Sequence, residues 1–196
     1  NQGASSIVNV WKDQNSSSLN NVRSDEYFDL GIGIAQFEGV PIFVITFAES
    51  LKDFFETETS DLGDLEAVRS EMLTLVNDFR VQEGVSPLNI DSLIELAAQR
   101  HAEDMLNRSY YAHETPEGLS SHERIIALGY NPSFTGENIA KGQLDVSEVM
   151  TSWINSPDHR ANLVSENFTE VGFGMAIGEN QNGFEVIWVQ NFGQPM

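Results

Sequence analysis

From Leu65 onward, apolar side chains recur every three or four residues: Val68, Met72, Leu75, Val76 and Phe79 fall on one side of a helical turn pattern. Asp64 stands where an N-cap belongs and Gly84 lies beyond the run, so a helix is predicted between them. A second helix is predicted from near Ser92, which has capping-box spacing to Glu95, with Leu93, Leu96, Ala97 and Met105 as its buried stripe. A short third helix is predicted from Ser120, paired in the same way with Glu123, and stops at Gly129. The fourth opens with Asp145 and Glu148, turns Val146, Val149, Met150 and Trp153 inward, and ends at Pro157. The period then drops to two. Val171, Phe173, Met175 and Ile177 alternate, Asn182-Gly183 marks a turn, and Phe184 to Phe192 is rich in β-formers, which predicts a closing hairpin. Helices followed by an antiparallel hairpin point to an α+β fold rather than a parallel α/β sheet.

The first fifty residues echo the last fifty. Trp11, Leu30-Gly31-Ile32-Gly33-Ile34-Ala35 and the run from Ile42 to Phe47 follow the order of Trp153, Val171-Gly172-Phe173-Gly174-Met175-Ala176 and Ile187 to Phe192. An offset of 141 residues at the Gly-x-Gly is the length of a whole domain. Residues 1–50 therefore read as the back half of a preceding copy, 51–63 as an acidic linker and 64–196 as an intact domain. A single helix and hairpin cannot bury a core alone, so the hairpin at 30–48 is expected to be covered, by the second unit or by a neighbouring chain in a homodimer.

Charge narrows the partners. Ten Lys and Arg against thirty Asp and Glu give a net charge of −20, which repels a phosphate backbone and anionic membrane surfaces; nucleic acid is not an expected partner. No cysteine occurs, so thiol nucleophiles and Cys-zinc sites are ruled out, and the chain suits the cytosol or an exported bacterial protein that relies on its core. No apolar run approaches the ~18 residues of a membrane span. Because Asn1 is not an initiator methionine, a signal peptide or other upstream segment is expected to have been removed.

The candidates for chemistry are few. Of four histidines, His101 lies beside the stripe of the second helix and His122 in the first turn of the third, where packing or surface roles are the ordinary reading. His113, between Tyr110-Tyr111 and Pro116-Glu117-Gly118, and His159, in Ser156-Pro157-Asp158-His159-Arg160, fall in segments read as loops, where functional side chains concentrate. Between them Gly136-Glu137-Asn138-Ile139-Ala140 places a carboxylate in an apolar setting, which requires a cation, a metal or hydrogen-bond donors. Spacing alone forms no compact metal motif, and no nucleophile-elbow serine is present.

Taken together the blocks resemble the CAP superfamily (cysteine-rich secretory proteins, antigen 5, pathogenesis-related 1) in a cysteine-free bacterial form. The resemblance is carried by Val76 to Arg80, Ser86 to Asn89, Ala97 to Ala102, Tyr111-Ala112-His113, Gly129-Tyr130, Gly136 to Ala140, Trp153 to Asn162, Phe168 to Gly174 and Val189 to Phe192, over about residues 64–195. It implies an extracellular protein with a three-layer α-β-α sandwich around a central antiparallel sheet. It also implies a cleft of two histidines and two acidic residues able to hold a divalent metal, often zinc. By position, His113 and His159 are the cleft histidines and metal ligands, and Glu137 is the carboxylate. The fourth position departs: Trp153-Ile154-Asn155-Ser156 puts Ser156 where an acid stands in animal and plant members, with Glu148 and Asp158 as nearby substitutes. In the half-copy Ser18 aligns with His159, so no second site is expected.

Two readings of the cleft remain. In one, the polar cluster fixes the loops of a binding module for a lipid, a cell-wall component or a protein. In the other, a metal-bound water with Glu137 as proton acceptor, and His113 and His159 as catalytic partners, hydrolyses a peptide or ester.

Overall fold

A computed structural model describes residues 29–37, 40–48 and 59–196. Trp11, Ser18 and most of the acidic linker lie outside the described residues, and with them the expectations placed there. The chain divides into two compact units, Asn1–Thr57 and Glu58–Met196. In the first, β1 (Asp29–Phe37) and β2 (Val40–Ala48) form an antiparallel hairpin in which Gly31 faces Thr46, Gly33 faces Val44 and Ala35 faces Ile42.

The second unit begins with a 3-10 turn (Ser60–Gly63) and α1 (Leu65–Gln82), whose N-cap Asp64 accepts from the Glu66 and Ala67 N–H groups. Next come β3 (Asn89–Ile90), α2 (Ser92–Asn107), α3 (Ser121–Ala127), β4 (Pro132–Lys141), α4 (Val146–Asn155), α5 (Pro157–Leu163), β5 (Glu170–Asn180) and β6 (Gly183–Pro195). The N-cap of α2 is Asp91, not Ser92; its carboxylate takes the Leu93 and Ile94 N–H groups, leaving Ser92 as the first helical residue. Ser120 and Glu123 do form a reciprocal capping box on α3.

The four-stranded sheet has the order β3-β5-β6-β4. Its long pairs are antiparallel, while the two-residue β3 runs parallel to β5, a small exception to the antiparallel expectation. Alternation along β5 divides the core. Val171, Phe173 and Met175 point to one face, where they pack with Val68, Met72 and Val76 of α1 and Val149, Met150 and Trp153 of α4. The opposite face carries Gly172, Gly174 and Ala176, and there Ala98, Ala102 and Met105 of α2 pack against Ile139, Ile187 and Val189. Helices thus cover both sides of the sheet, the α-β-α layering expected.

The two glycines explain how closely α2 lies. A methyl group at Gly172 would come within 2.2 Å of the Glu95 backbone nitrogen, and one at Gly174 within 2.3 Å of the Ala98 carbonyl carbon. The helix rests on bare strand backbone, which any side chain would push away. On the other face, Arg80 is fully buried and satisfied by main-chain oxygens alone: Nε donates to Ser86 at 2.7 Å, Nη1 to Leu163 at 2.7 Å and Ser165 at 3.0 Å, and Nη2 to Phe168 at 3.3 Å. It pins the loop that leads into β5.

Candidate functional site

Glu137 lies on β4, opposite Asn191 of β6, and its side chain is only 3% exposed. Both carboxylate oxygens are engaged. Oε1 pairs with His113 Nδ1 at 2.8 Å, and Oε2 accepts from Arg124 Nη2 of α3 at 2.5 Å. In the amide orientation that satisfies both its neighbours, Asn191 adds a donor to Oε2 at 3.0 Å and accepts from the Ala98 N–H at 3.2 Å. A buried carboxylate with a guanidinium, an imidazole and an amide around it meets the demand set by its burial.

Arg124 does a second job. Its Nη1 donates to the carbonyls of His113 at 2.7 Å and Leu119 at 2.9 Å, so one side chain positions both the histidine's backbone and the carboxylate that holds its ring. His113 itself is well exposed, at 58% of its side chain, in the loop after α2. With Nδ1 bound to Glu137, Nε2 is the nitrogen left to meet a ligand. The hydrogen bond to Glu137 raises the His113 pKa, burial and the Arg124 charge working against it.

His159 is not in a loop. It lies in α5, a helix missed because Pro157 looked like the end of α4; proline occupies the first turn of α5, where its missing N–H costs nothing. The His159 carbonyl accepts from Asn138 Nδ2 at 3.1 Å, its Nδ1 is buried without a partner, and burial followed by the charge of His113 lowers its pKa. Asp158 acts on His159 in the opposite sense, while Glu148 is spent on the Leu144 N–H at 2.9 Å at the start of α4. Among the described residues, no group of three or more His, Asp and Glu converges as a metal site.

The buried amides of Asn138 and Gln190 and the half-buried amide of Asn162 form a ladder beside this site. Asn138 Nδ2 also donates to Gln190 Oε1 at 3.1 Å, and Asn162 Nδ2 of α5 reaches Asn138 Oδ1 at 2.8 Å and the Glu137 carbonyl at 3.2 Å. The sequence marks Asn138 only as a neighbour of Glu137, and Asn162, Gln190 and Asn191 only as family pattern, and gives no direct sign of Arg124. The signal for Arg124 was indirect: a half-buried carboxylate needs a cation, and Arg124 is a basic residue on the short helix that follows the His113 loop. His101 is buried, its Nε2 at 3.0 Å from the Ala112 carbonyl, and belongs to the core as expected. His122 is exposed and bonds Thr135 Oγ1 at 3.1 Å. One cavity of about 380 Å³ lies between α2 and α3, lined by His101, Asp104, Glu117, Arg124 and Leu128 among others, but by neither His113 nor His159.

In this sandwich a loop histidine, His113, pairs with Glu137, a carboxylate of the central sheet. The profile of the cysteine-rich secretory protein family (CAP) matches residues 73–192, and the chain belongs to that family. It is 34% identical over 136 residues to the uncharacterized protein YkwD of Bacillus subtilis (strain 168), which spans 69% of this chain and 51% of YkwD. The membrane protein YlbC of the same organism, also uncharacterized, is 30% identical over 105 residues, covering 54% of this chain and 30% of YlbC. The chain thus spans about half of YkwD and under a third of YlbC. An extracellular protein containing an SCP domain from Bacillus anthracis str. Ames shares the fold at a TM-score of 0.59 and 24% identity, over 78% of this chain and 46% of that one. An outer surface protein from Borrelia burgdorferi does so at a TM-score of 0.57 and 21% identity, over 65% of this chain and 92% of that one. No helix among the described residues is long and apolar enough to cross a membrane.

Proposed function

We propose that this is an extracellular CAP module that binds rather than turns over its ligand, through the surface around His113 and His159. The single observation that supports this reading is the occupation of Glu137: its side chain is 3% exposed and both oxygens are engaged, by His113 on one and by Arg124 and Asn191 on the other, so it is poorly placed to accept a proton from a water in the cleft. A hydrolase using Glu137 as base would first have to break a buried guanidinium pair, a step costing several kcal/mol.

The same geometry suits a weak divalent site. His113 carries a carboxylate behind its Nδ1, the arrangement that orients a ligating imidazole, and because His159 Nδ1 is buried its Nε2 is the nitrogen that would meet an ion. Two imidazoles would hold a zinc-like ion with water completing its shell, so affinity is modest and the ion exchanges. Such an ion would polarise a bound water or an oxygen of the ligand; Glu137 and Arg124 act from behind, by fixing the His113 ring. The ligand is a cell-wall component, a lipid or a protein, and the cell wall is tested first.

The test is calorimetric titration of Zn²⁺ into the full chain and into His113→Ala, His159→Ala and the double variant, followed by sedimentation with purified cell-wall sacculi. Metal uptake that falls at least tenfold in each single variant, with sacculus binding that persists when zinc is chelated, is expected. Zinc-dependent hydrolysis of peptide or ester substrates that disappears in Glu137→Gln would overturn the binding reading.

A further inference from the structure

The β1–β2 hairpin carries the same face that β5–β6 buries under α2. In β5–β6 the register sets Gly172 against Asn191, Gly174 against Val189 and Ala176 against Ile187. In β1–β2 it sets Gly31 against Thr46, Gly33 against Val44 and Ala35 against Ile42. Facing residues in an antiparallel pair share a side of the sheet. Five of these six positions are therefore identical in residue and register: Gly, Gly and Ala on one strand, Val and Ile on the other.

The environments differ. Ile187 and Val189 are 0% exposed beneath α2, whereas Ile42 is 46% and Val44 56% exposed, with Val40 beside them at 63%. Glycine at alternate positions of a strand, with apolar β-branched partners, costs backbone entropy and yields no packing by itself. In β5 its use is visible, since the backbones of Glu95 and Ala98 occupy the space that the absent methyl groups would fill.

We infer that the β1–β2 face is a docking surface for a helix of the α2 kind, one presenting small side chains in the pattern of Ala98 and Ala102 followed by Met105. The occupant is specified by the surface. Gly31 and Gly33 admit a helix only where its facing residues are small enough to bring its backbone against the strand, and Ile42 and Val44 supply the apolar flank that Ile187 and Val189 give α2. This inference is independent of the histidine cleft.

The probe is a peptide of residues 89–110 stapled across Leu96 and Arg100, both on the solvent side of α2, with its helicity verified by circular dichroism before use. Its fluorescein-labelled form is titrated with the full chain and followed by anisotropy. Saturable binding is expected, weakened at least tenfold by Gly33→Leu, by Val44→Glu, and by Ala98→Leu within the peptide. Val44 is exposed, so its substitution leaves the fold standing even if Gly33→Leu perturbs the hairpin. Absence of saturable binding by the helical peptide up to about 1 mM, where a complex is worth only ~4 kcal/mol, overturns the inference. So does binding that neither hairpin variant changes.

Discussion

The side-chain amide of Asn138 donates to the backbone carbonyl of His159 at 3.1 Å, tying α5 to the sheet one residue away from Glu137. The link joins the two halves of the site through main chain, so His159 is placed by its helix rather than by its ring. Asn138 is fully buried and also serves Gln190 and Asn162. Asn138→Leu should remove the donor to the His159 carbonyl and to Gln190 Oε1, leave Asn162 with only the Glu137 carbonyl, and cost about 2–3 kcal/mol. Urea unfolding measures the loss, and a changed chemical shift of the His159 ring would report its displacement. A variant as stable as the parent would show that the ladder is dispensable.

The two cleft histidines should titrate in a fixed order. His113, raised by its bond to Glu137, is expected to hold its proton to higher pH than His159, which burial and the charge of His113 depress. Proton NMR of the ring Cε1–H signals in metal-free buffer gives both midpoints. The reverse order would contradict the geometry.

Their effects on stability oppose each other. The contribution from His113 is complete below the unfolded-state value of about 6.5 and is lost as pH rises through its raised folded value. That from His159 is present above about 6.5 and is lost as pH falls toward its lowered folded value. In Glu137→Gln the first effect should vanish and the second remain, so the stability of that variant declines as the medium is acidified from pH 8 to 5. Thermal unfolding across this range checks the sign.

Arg80 offers a separate test of buried polar chemistry. Replacing it with Met keeps much of the volume but strands the Ser86, Leu163, Ser165 and Phe168 carbonyls, at a cost on the order of 3 kcal/mol or more. Arg80→Lys should recover part of this, since an ammonium has three donors where the guanidinium has five. Equal destabilisation by both substitutions would mean that guanidinium shape, rather than charge, is what the loop needs.

Gly174→Ala should be among the most damaging single-methyl additions in the chain. The colliding atoms are backbone, so no side chain can step aside, and a loss of roughly 3 kcal/mol is expected as α2 is lifted from β5. Gly142→Ala, where nothing lies within 4 Å but φ is +95°, should cost only the smaller backbone penalty of about 1 kcal/mol. Denaturant midpoints of the two variants separate collision from conformational strain.

Much of this was legible in the chain. Periodicity located α1, α2, α3, α4 and the β5–β6 hairpin because each has an apolar stripe with punctuation at its ends. β4 escaped notice because Glu137 and Asn138 interrupt its apolar pattern with buried polar groups, whose partners come from distant segments. α5 escaped because a proline that ends one helix can also begin the next. His113, Glu137 and His159 stood out by their settings and took their roles from the family resemblance; the structure brings His113 and Glu137 into contact and ties the His159 carbonyl to Asn138, the next residue on β4. Arg124 lacked any local mark, since its importance arises only where α3 folds back over β4.

The bare strand at Gly172 and Gly174 reaches further than the packing it permits. A helix seated on main-chain atoms cannot slide along the strand without meeting the next side chain, so β5 works as a gauge that sets where α2 ends. The loop bearing His113 starts from that end. Its ring is therefore delivered to Glu137 from a fixed origin, and the precision of an exposed, solvent-facing imidazole is inherited from two residues that have no side chains at all.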